Sequence, residues 1–331
     1  MTGWRLLLAA VTLVGTPLAS RGFTLITFDV DGTLVQGGGP SGQAADTGAH
    51  SRAYGHAVGR VLGDGGPTPP VADVLPRRDY HGSTDGLILL RLARATLGFE
   101  PTESAGRLDE LMASMYEYVS DLDDEEVSRG ITPLPGVLDA LSTLATMKDS
   151  VSCGLVTGNV EGIARRKMKA VGILGTGALA PPSDEQLLRN GDWAGAEDIG
   201  FLGGFGSDFC SGDIDDADRN HLDRSEQIGI ATRRCQASLA AAEAAGGECH
   251  TLCRVVHVGD APADVLAAKA FAESSGTDPN LCIGMVAVAT GSYSAAELLK
   301  LAGEPCPGRW EPVVLEDGIA DPSFLNACGI L

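Results

Sequence analysis

Thr24-Leu25-Ile26-Thr27-Phe28-Asp29-Val30-Asp31-Gly32-Thr33-Leu34-Val35 is the stretch whose reading decides the fold. Leu25, Ile26, Phe28 and Val30 make a short apolar run rich in strand formers, which suits a strand buried in the middle of a sheet. The run stops at two carboxylates followed by Gly and Thr. Packing does not explain that ending, because an unpaired buried carboxylate is costly. At the carboxyl end of a parallel strand, two carboxylates lie where open α/β sheets place their ligands. One can be a nucleophile and the other a general acid/base, and together they can hold a hard cation. The plainer alternative is a surface turn, since Asp-Gly is a common turn dipeptide.

Three further apolar runs repeat the pattern downstream. Val151-Ser152-Cys153-Gly154-Leu155-Val156 ends in Thr157-Gly158-Asn159. Arg254-Val255-Val256-His257-Val258 ends in Gly259-Asp260, with Asp264 one helical turn later. A fourth run over 283–289 ends in Thr290-Gly291. Strands alternating with helical patterns predict an α/β protein with a doubly wound, Rossmann-like parallel sheet. In such a sheet the strand ends share one edge, so Asp29, Asp31, Thr157, Asp260 and Thr290 converge on one site.

That set of groups fits phosphoryl transfer. Asp29 can attack phosphorus in line and form an aspartyl-phosphate. Asp31 can protonate the leaving oxygen and then take a proton from the hydrolytic water. Thr157 can donate its hydroxyl to the phosphoryl oxygens, helped by backbone N–H groups of the Gly158 turn. Lys167 can neutralise charge on the transferring group. Asp29 and Asp260, with Asp264 nearby, supply the oxygen ligands that Mg²⁺ prefers. His257 lies within a strand and reads as a packed core histidine.

Between the first strand and Pro133-Leu134-Pro135-Gly136 the pattern changes to helices. Helical patterning covers 44–62 and 84–97, and Leu108, Leu111, Met112, Met115 and Val119 recur at the spacing of an amphipathic helix. Residues 40–130 therefore form a helical unit inserted straight after the first strand, and 21–39 with 131–331 form the α/β core. Residues 175–200 and 211–222 read as surface insertions. The acidic run at 213–218 lacks the glycine of an EF-hand loop and reads as solvated.

The 331 residues are 44% hydrophobic, enough for a substantial core, and carry a formal net charge of −20. Such a chain repels a phosphate backbone, which argues against nucleic-acid binding. A small phosphorylated substrate would need a metal or local cation to offset the same field. Of eight cysteines, Cys153 and Cys282 read as buried thiols, and Cys249-His250-Thr251-Leu252-Cys253 lacks the second ligand pair of a metal clip. Residues 1–20 hold an apolar run too short to span a bilayer but similar to the core of a signal peptide. They predict secretory or organellar targeting, plastid included; the alternative is a cytoplasmic protein with an extra N-terminal helix. The oligomeric state stays open.

With these motifs in place the chain resembles the haloacid dehalogenase superfamily, in its phosphoglycolate-phosphatase-like branch. Asp29-Val30-Asp31-Gly32-Thr33 resembles the first motif of that family and Thr157-Gly158-Asn159 the second. Lys167 sits where the family places its basic third motif, and Gly259-Asp260 with Asp264 resembles the fourth. The resemblance extends over roughly 23–328 and makes the helical insert a small cap domain. It implies that Asp29 is the nucleophile and Asp31 the acid/base. The metal, Mg²⁺, would be held by the Asp29 carboxylate, the Asp31 main-chain carbonyl and Asp260, with Asp264 as a ligand or support. Gly82-Ser83-Thr84-Asp85 resembles the cap loop that faces substrate, so Ser83, Thr84 and Asp85 join Gly158 and Asn159 as substrate-binding candidates. Dehalogenases of the superfamily lack a carboxylate at the second Asp, so Asp31 points to phosphoryl chemistry. The expected activity is a Mg²⁺-dependent phosphatase for a small phosphorylated metabolite, with 2-phosphoglycolate as the candidate. A phosphosugar mutase shares both aspartates and the cap, and an inactive binding protein of this fold would have lost one of Asp29, Asp31 or Asp260.

Overall fold

The computed structural model describes residues 21–37, 48–66, 68–80, 82–179 and 203–330. The targeting reading of 1–20 falls outside these residues, as does most of the expected insertion at 175–200. The chain begins with β1 (Arg21–Phe28) and β2 (Val35–Gly37). Among the described residues seven helices follow: α1 (Ala49–Leu62), α2 (Val71–Val74), α3 (Arg77–Tyr80), α4 (Asp85–Leu97), α5 (Pro101–Ala105), α6 (Leu108–Ser120) and α7 (Asp124–Ser128). Then come β3 (Ile131–Pro133), α8 (Val137–Ala145), β4 (Val151–Thr157), α9 (Glu161–Ala170), β5 (Gly203–Phe205) and α10 (Asn220–Ala244). The remainder is β6 (His250–Gly259), α11 (Pro262–Glu273), β7 (Cys282–Val288), α12 (Ala295–Ala302), β8 (Trp310–Leu315) and α13 (Phe324–Ala327).

Six of these strands form one sheet in the order β5-β4-β1-β6-β7-β8, every pairing parallel. Parallel sheets need both faces covered, and β1 shows why its sequence is apolar at consecutive positions. Ile26 and Phe28 point into a cluster that contains Val137, Leu141 and Leu144 of α8 and Ala164 and Met168 of α9. Leu25, on the opposite face, joins a cluster with Ile228 and Ala231 of α10, Val265 and Ala268 of α11 and Leu298 of α12. Leu25, Ile26 and Phe28 are fully buried, and each contributes about 1.5–3 kcal/mol by leaving water. From β1 the connections run to β4 and β5 on one side. From β6 they run to β7 and β8 on the other. The boundary between β1 and β6 is thus the switch point at which such sheets bind ligands.

The helices described between β2 and β3 have their own core, built from residues such as Ala57, Leu89, Leu92, Leu111 and Met115. Val160 and Ile163, at the start of α9, belong to the same cluster and seat this cap on the sheet domain. β2 and β3, the strands of entry and exit, pair antiparallel from Val35↔Pro133 to Gly37↔Ile131.

Two expectations need correction. The segment 211–222 is not a free surface insertion. Its acidic side chains at 213, 215, 216 and 218 are exposed, but Ile214 is buried against Leu87 and Leu90 of α4, and Asn220 already begins α10. The apolar face of that 25-residue helix is spread among polar residues, so its period is weak in sequence. Cys282 is only half-buried, beside Arg254 and Glu311, because it is the first residue of β7 instead of lying inside the strand.

Candidate active site

The four strand ends do meet. Asp29 and Asp31 follow β1, Thr157 closes β4, Asp260 follows β6 and Thr290 follows β7. All five line one cavity of about 510 Å³, together with Lys167, Ser83, Asp85, Asp264 and the previously unremarked His50, Tyr54 and Arg224. The turn after β1 needs its glycine. Gly32 has φ +92°, and a side chain there would meet the Asp260 carboxylate at 2.4 Å. The Thr33 hydroxyl donates to Asp260 Oδ1 at 3.2 Å, and the Thr290 hydroxyl donates to the Gly32 carbonyl at 2.6 Å.

At the floor, Asp29, Asp260 and Asp264 are buried and each offers a carboxylate oxygen, the three lying within 4.8 Å of one another. Burial pushes Asp29 up to about 7, with Asp264 and Asp31 adding to the rise and Arg224 opposing it. Asp260 is raised well above the usual carboxylate range by burial and by Asp264 and Asp29. Arg224, from the second turn of α10, bonds Asp29 Oδ1 at 2.7 Å and Asp264 Oδ1 at 2.6 Å. Against the cost of burial, that guanidinium is what holds Asp264 below its ordinary value. Asp264 has no idle oxygen: Oδ1 also meets His257 Nε2 at 3.3 Å, and Oδ2 accepts from the Ala261 N–H at 3.1 Å. His257 is the core residue expected, and its ring also links Thr27 to Asp264.

Three buried carboxylates therefore share one guanidinium. Hard oxygen donors in anionic excess fit a small divalent cation such as Mg²⁺. Asp29 and Asp260 are the better placed to hold it, since Asp264 is occupied by its own donors.

At the rim, Asp31 is half-exposed to the cavity. Lys167 Nζ lies 2.8 Å from each of its oxygens and 2.9 Å from Asn159 Oδ1, and Asn159 Nδ2 donates to Asp31 Oδ2 at 3.2 Å. Desolvation favours the neutral acid, but Lys167, His50 and the hydrogen bonds outweigh it and hold Asp31 below its ordinary value. Lys167 thus serves Asp31, and the counter-ion of Asp29 is Arg224. The helix carries three arginines, and neither its spacing nor its hydropathy marks Arg224 for that role.

The cap loop divides. Ser83 lines the cavity and accepts from Arg91 at 2.9 Å. Thr84 does not line it. Its oxygen instead accepts from the Leu87 N–H and caps α4. Asp85 is buried with both oxygens engaged: Oδ1 by the Tyr54 hydroxyl at 2.6 Å, Oδ2 by His50 Nε2 at 3.1 Å and the Val160 N–H at 2.7 Å. Gly158 is where cap meets core. Its carbonyl accepts from the Asp85 N–H at 2.7 Å, and a side chain there would meet the Ser83 carbonyl at 2.2 Å.

No family model and no curated protein matches the sequence. Solved structures do. A hydrolase from Pseudomonas syringae is similar at 15% identity and a TM-score of 0.44, covering 94% of this chain and 100% of that one. A predicted phosphoglycolate phosphatase from Haemophilus somnus is similar at 15% identity and a TM-score of 0.43, covering 90% of this chain and 96% of that one. A beta-phosphoglucomutase from Clostridium difficile is similar at 14% identity and a TM-score of 0.44, covering 92% of this chain and 96% of that one.

Proposed function

We propose that the chain is a Mg²⁺-dependent phosphatase of the haloacid dehalogenase kind. It would hydrolyse a small phosphomonoester through an aspartyl-phosphate on Asp29, with 2-phosphoglycolate as the first candidate. The observation that carries this reading is the pair of aspartates two residues apart, facing one cavity, each with its own cation: Asp29 with Arg224 and Asp31 with Lys167.

In the first half-reaction an Asp29 oxygen bonds to phosphorus, the ester P–O bond breaks, and Asp31 gives its proton to the leaving oxygen. In the second, water attacks phosphorus, passes its proton to Asp31, and Asp29 departs. Mg²⁺, held by Asp29 and Asp260, would neutralise charge on the phosphoryl oxygens. Arg224 fixes the Asp29 carboxylate by its Oδ1, and Thr157 is on hand for the phosphoryl group at the cavity wall. Lys167 and Asn159 favour the ionised form of Asp31, the form that activates water, so proton donation to the leaving group is the harder half.

The experiment is phosphate release from a panel of phosphomonoesters, with Mg²⁺ and with EDTA. Release that requires Mg²⁺, with one compound far ahead, is the expected result. Transfer of phosphate between positions of one sugar, without net release, would favour the mutase, and no reaction with any compound would remove the enzyme reading.

A further inference from the structure

Arg91, on the cap helix α4, does not line the cavity, yet it is almost fully buried. Its guanidinium donates to the Asp79 carbonyl at 2.6 Å, the Ser83 hydroxyl at 2.9 Å, the Ile214 carbonyl at 3.1 Å and Asn220 Oδ1 at 3.2 Å. Every one of these acceptors is neutral; among the described residues no carboxylate is in contact with the guanidinium, and Asp79, Asp213 and Asp223 act on it only from a distance. A buried charge without a carboxylate in contact is an expensive way to hold a fold together, since apolar packing of the same volume is often as stable. Local rules are broken in this way mostly at functional sites.

The four partners show what the arrangement does. Asp79 lies in the short helix before the cap loop and Ser83 within that loop, Ile214 lies in the strap that crosses from β5 to α10, and Asn220 is the first residue of α10. Asn220 and Arg224 are four residues apart, so they lie on one face of that helix in successive turns. The same two turns are gripped from the strap. The Ser211 N–H donates to Asp223 Oδ2 at 3.1 Å, and Gln227 Nε2 donates to the Phe209 carbonyl at 3.1 Å. We infer that Arg91 is a positioning residue: by tying the first turn of α10 to the cap loop, it aims Arg224 at Asp29 and brings Ser83 to the cavity in one move. Cap and Asp29 are then linked through Arg91, the first turns of α10 and Arg224, and the strap acts as a part of the active site instead of a surface loop. This inference takes its kinetic meaning from the phosphatase reading, but its geometric content stands apart from it.

The test uses the full chain. Arg91→Met should lower kcat by about 10²-fold, the usual cost of a group misplaced by about an ångström, and should raise KM through Ser83. Asn220→Ala removes only the α10 contact and should lower kcat by about tenfold with KM unchanged, a split that general loosening of the fold would not give. In an Arg224→Gln background neither substitution should lower kcat further, because the residue they act through is gone. Arg94→Met, which cuts only the exposed pair with Asp215 on the same strap, should change neither constant. Crystal structures of Arg91→Met and Asn220→Ala, or of the second alone should the first not fold, should show Arg224 off Asp29 or Asp264. Kinetic losses that add in the Arg224→Gln background, or an Arg224 that keeps both contacts, would overturn the inference. Absence of phosphatase activity in the wild type would remove the proposed function, and the crystal structures would still decide the role of Arg91.

Discussion

Asp29 and Asp31 stand two residues apart and live in opposite surroundings. The floor around Asp29 is buried and holds three carboxylates to one guanidinium, and Asp29 is pushed up to about 7. The rim around Asp31 is half-open and balanced, one carboxylate to one ammonium, and Asp31 is held below its ordinary value. Environments that push paired titratable groups apart mark a division of labour. The floor is short of positive charge, with Arg224 against three carboxylates, and under the proposed function it would gain a cation and a phosphoryl group. The rim is already neutral and is shaped to move a proton.

Asp29→Asn attacks the floor most directly. It should cut phosphate release by about 10⁴-fold or more, since an amide is a poor nucleophile; substantial turnover in pure protein would end the aspartyl-phosphate account. Asp31→Asn should cost about 10²–10⁴-fold with alkyl phosphates. The loss should be far smaller with p-nitrophenyl phosphate, whose leaving group needs no proton, and equal losses on both would show that Asp31 is not the acid. Lys167→Met should raise the pKa of Asp31. The low-pH side of the rate profile, where Asp31 takes up a proton and stops activating water, should then move to higher pH; an unmoved profile would separate Lys167 from Asp31. The smallest effect is on stability. Saturating Mg²⁺ should raise the melting temperature, by an amount that corresponds to about 2.7 kcal/mol at a hundred times its dissociation constant. Because the folded-state pKa of Asp29 is raised, its proton is retained below about pH 7 and lost above it. The gain from Mg²⁺ should therefore be larger at pH 8 than at pH 6, where the cation must displace that proton. A gain that grew on acidification would contradict the raised value.

The convergence of these groups was legible in the residues themselves, though the contrast between them was not. A buried apolar strand gains nothing from ending in two carboxylates unless its end faces a ligand, and the strand ends at Thr157, Asp260 and Thr290 followed from the same logic. The rest was hidden for definite reasons. Arg224 sits in a polar helix that opens from an acidic loop, where neither spacing nor hydropathy singles it out. A hint existed in the charge count, since carboxylates at Asp29, Asp260 and Asp264 call for a cation that Lys167, spent on Asp31, does not supply. His50 is one of two histidines on α1, and only the fold carries it to Asp85 and the cavity. Thr84 bore its own signal: a threonine directly before an apolar helical run is an N-cap pattern, and the structure uses it so.

The antiparallel pairing of β2 with β3 has a consequence for how the molecule comes to exist. Because the cap leaves and rejoins the sheet domain at one point, about a hundred residues are spent before the chain returns to its first strand. β1, which leads into Asp29, pairs through Thr24 with Val151 and through Thr27 with His257. Both neighbours of β1 arrive later in synthesis, so β1 emerges before either and waits for both. Contacts so distant in sequence make for slow folding, and an apolar strand with two open edges is the segment most exposed to wrong partners in the interval.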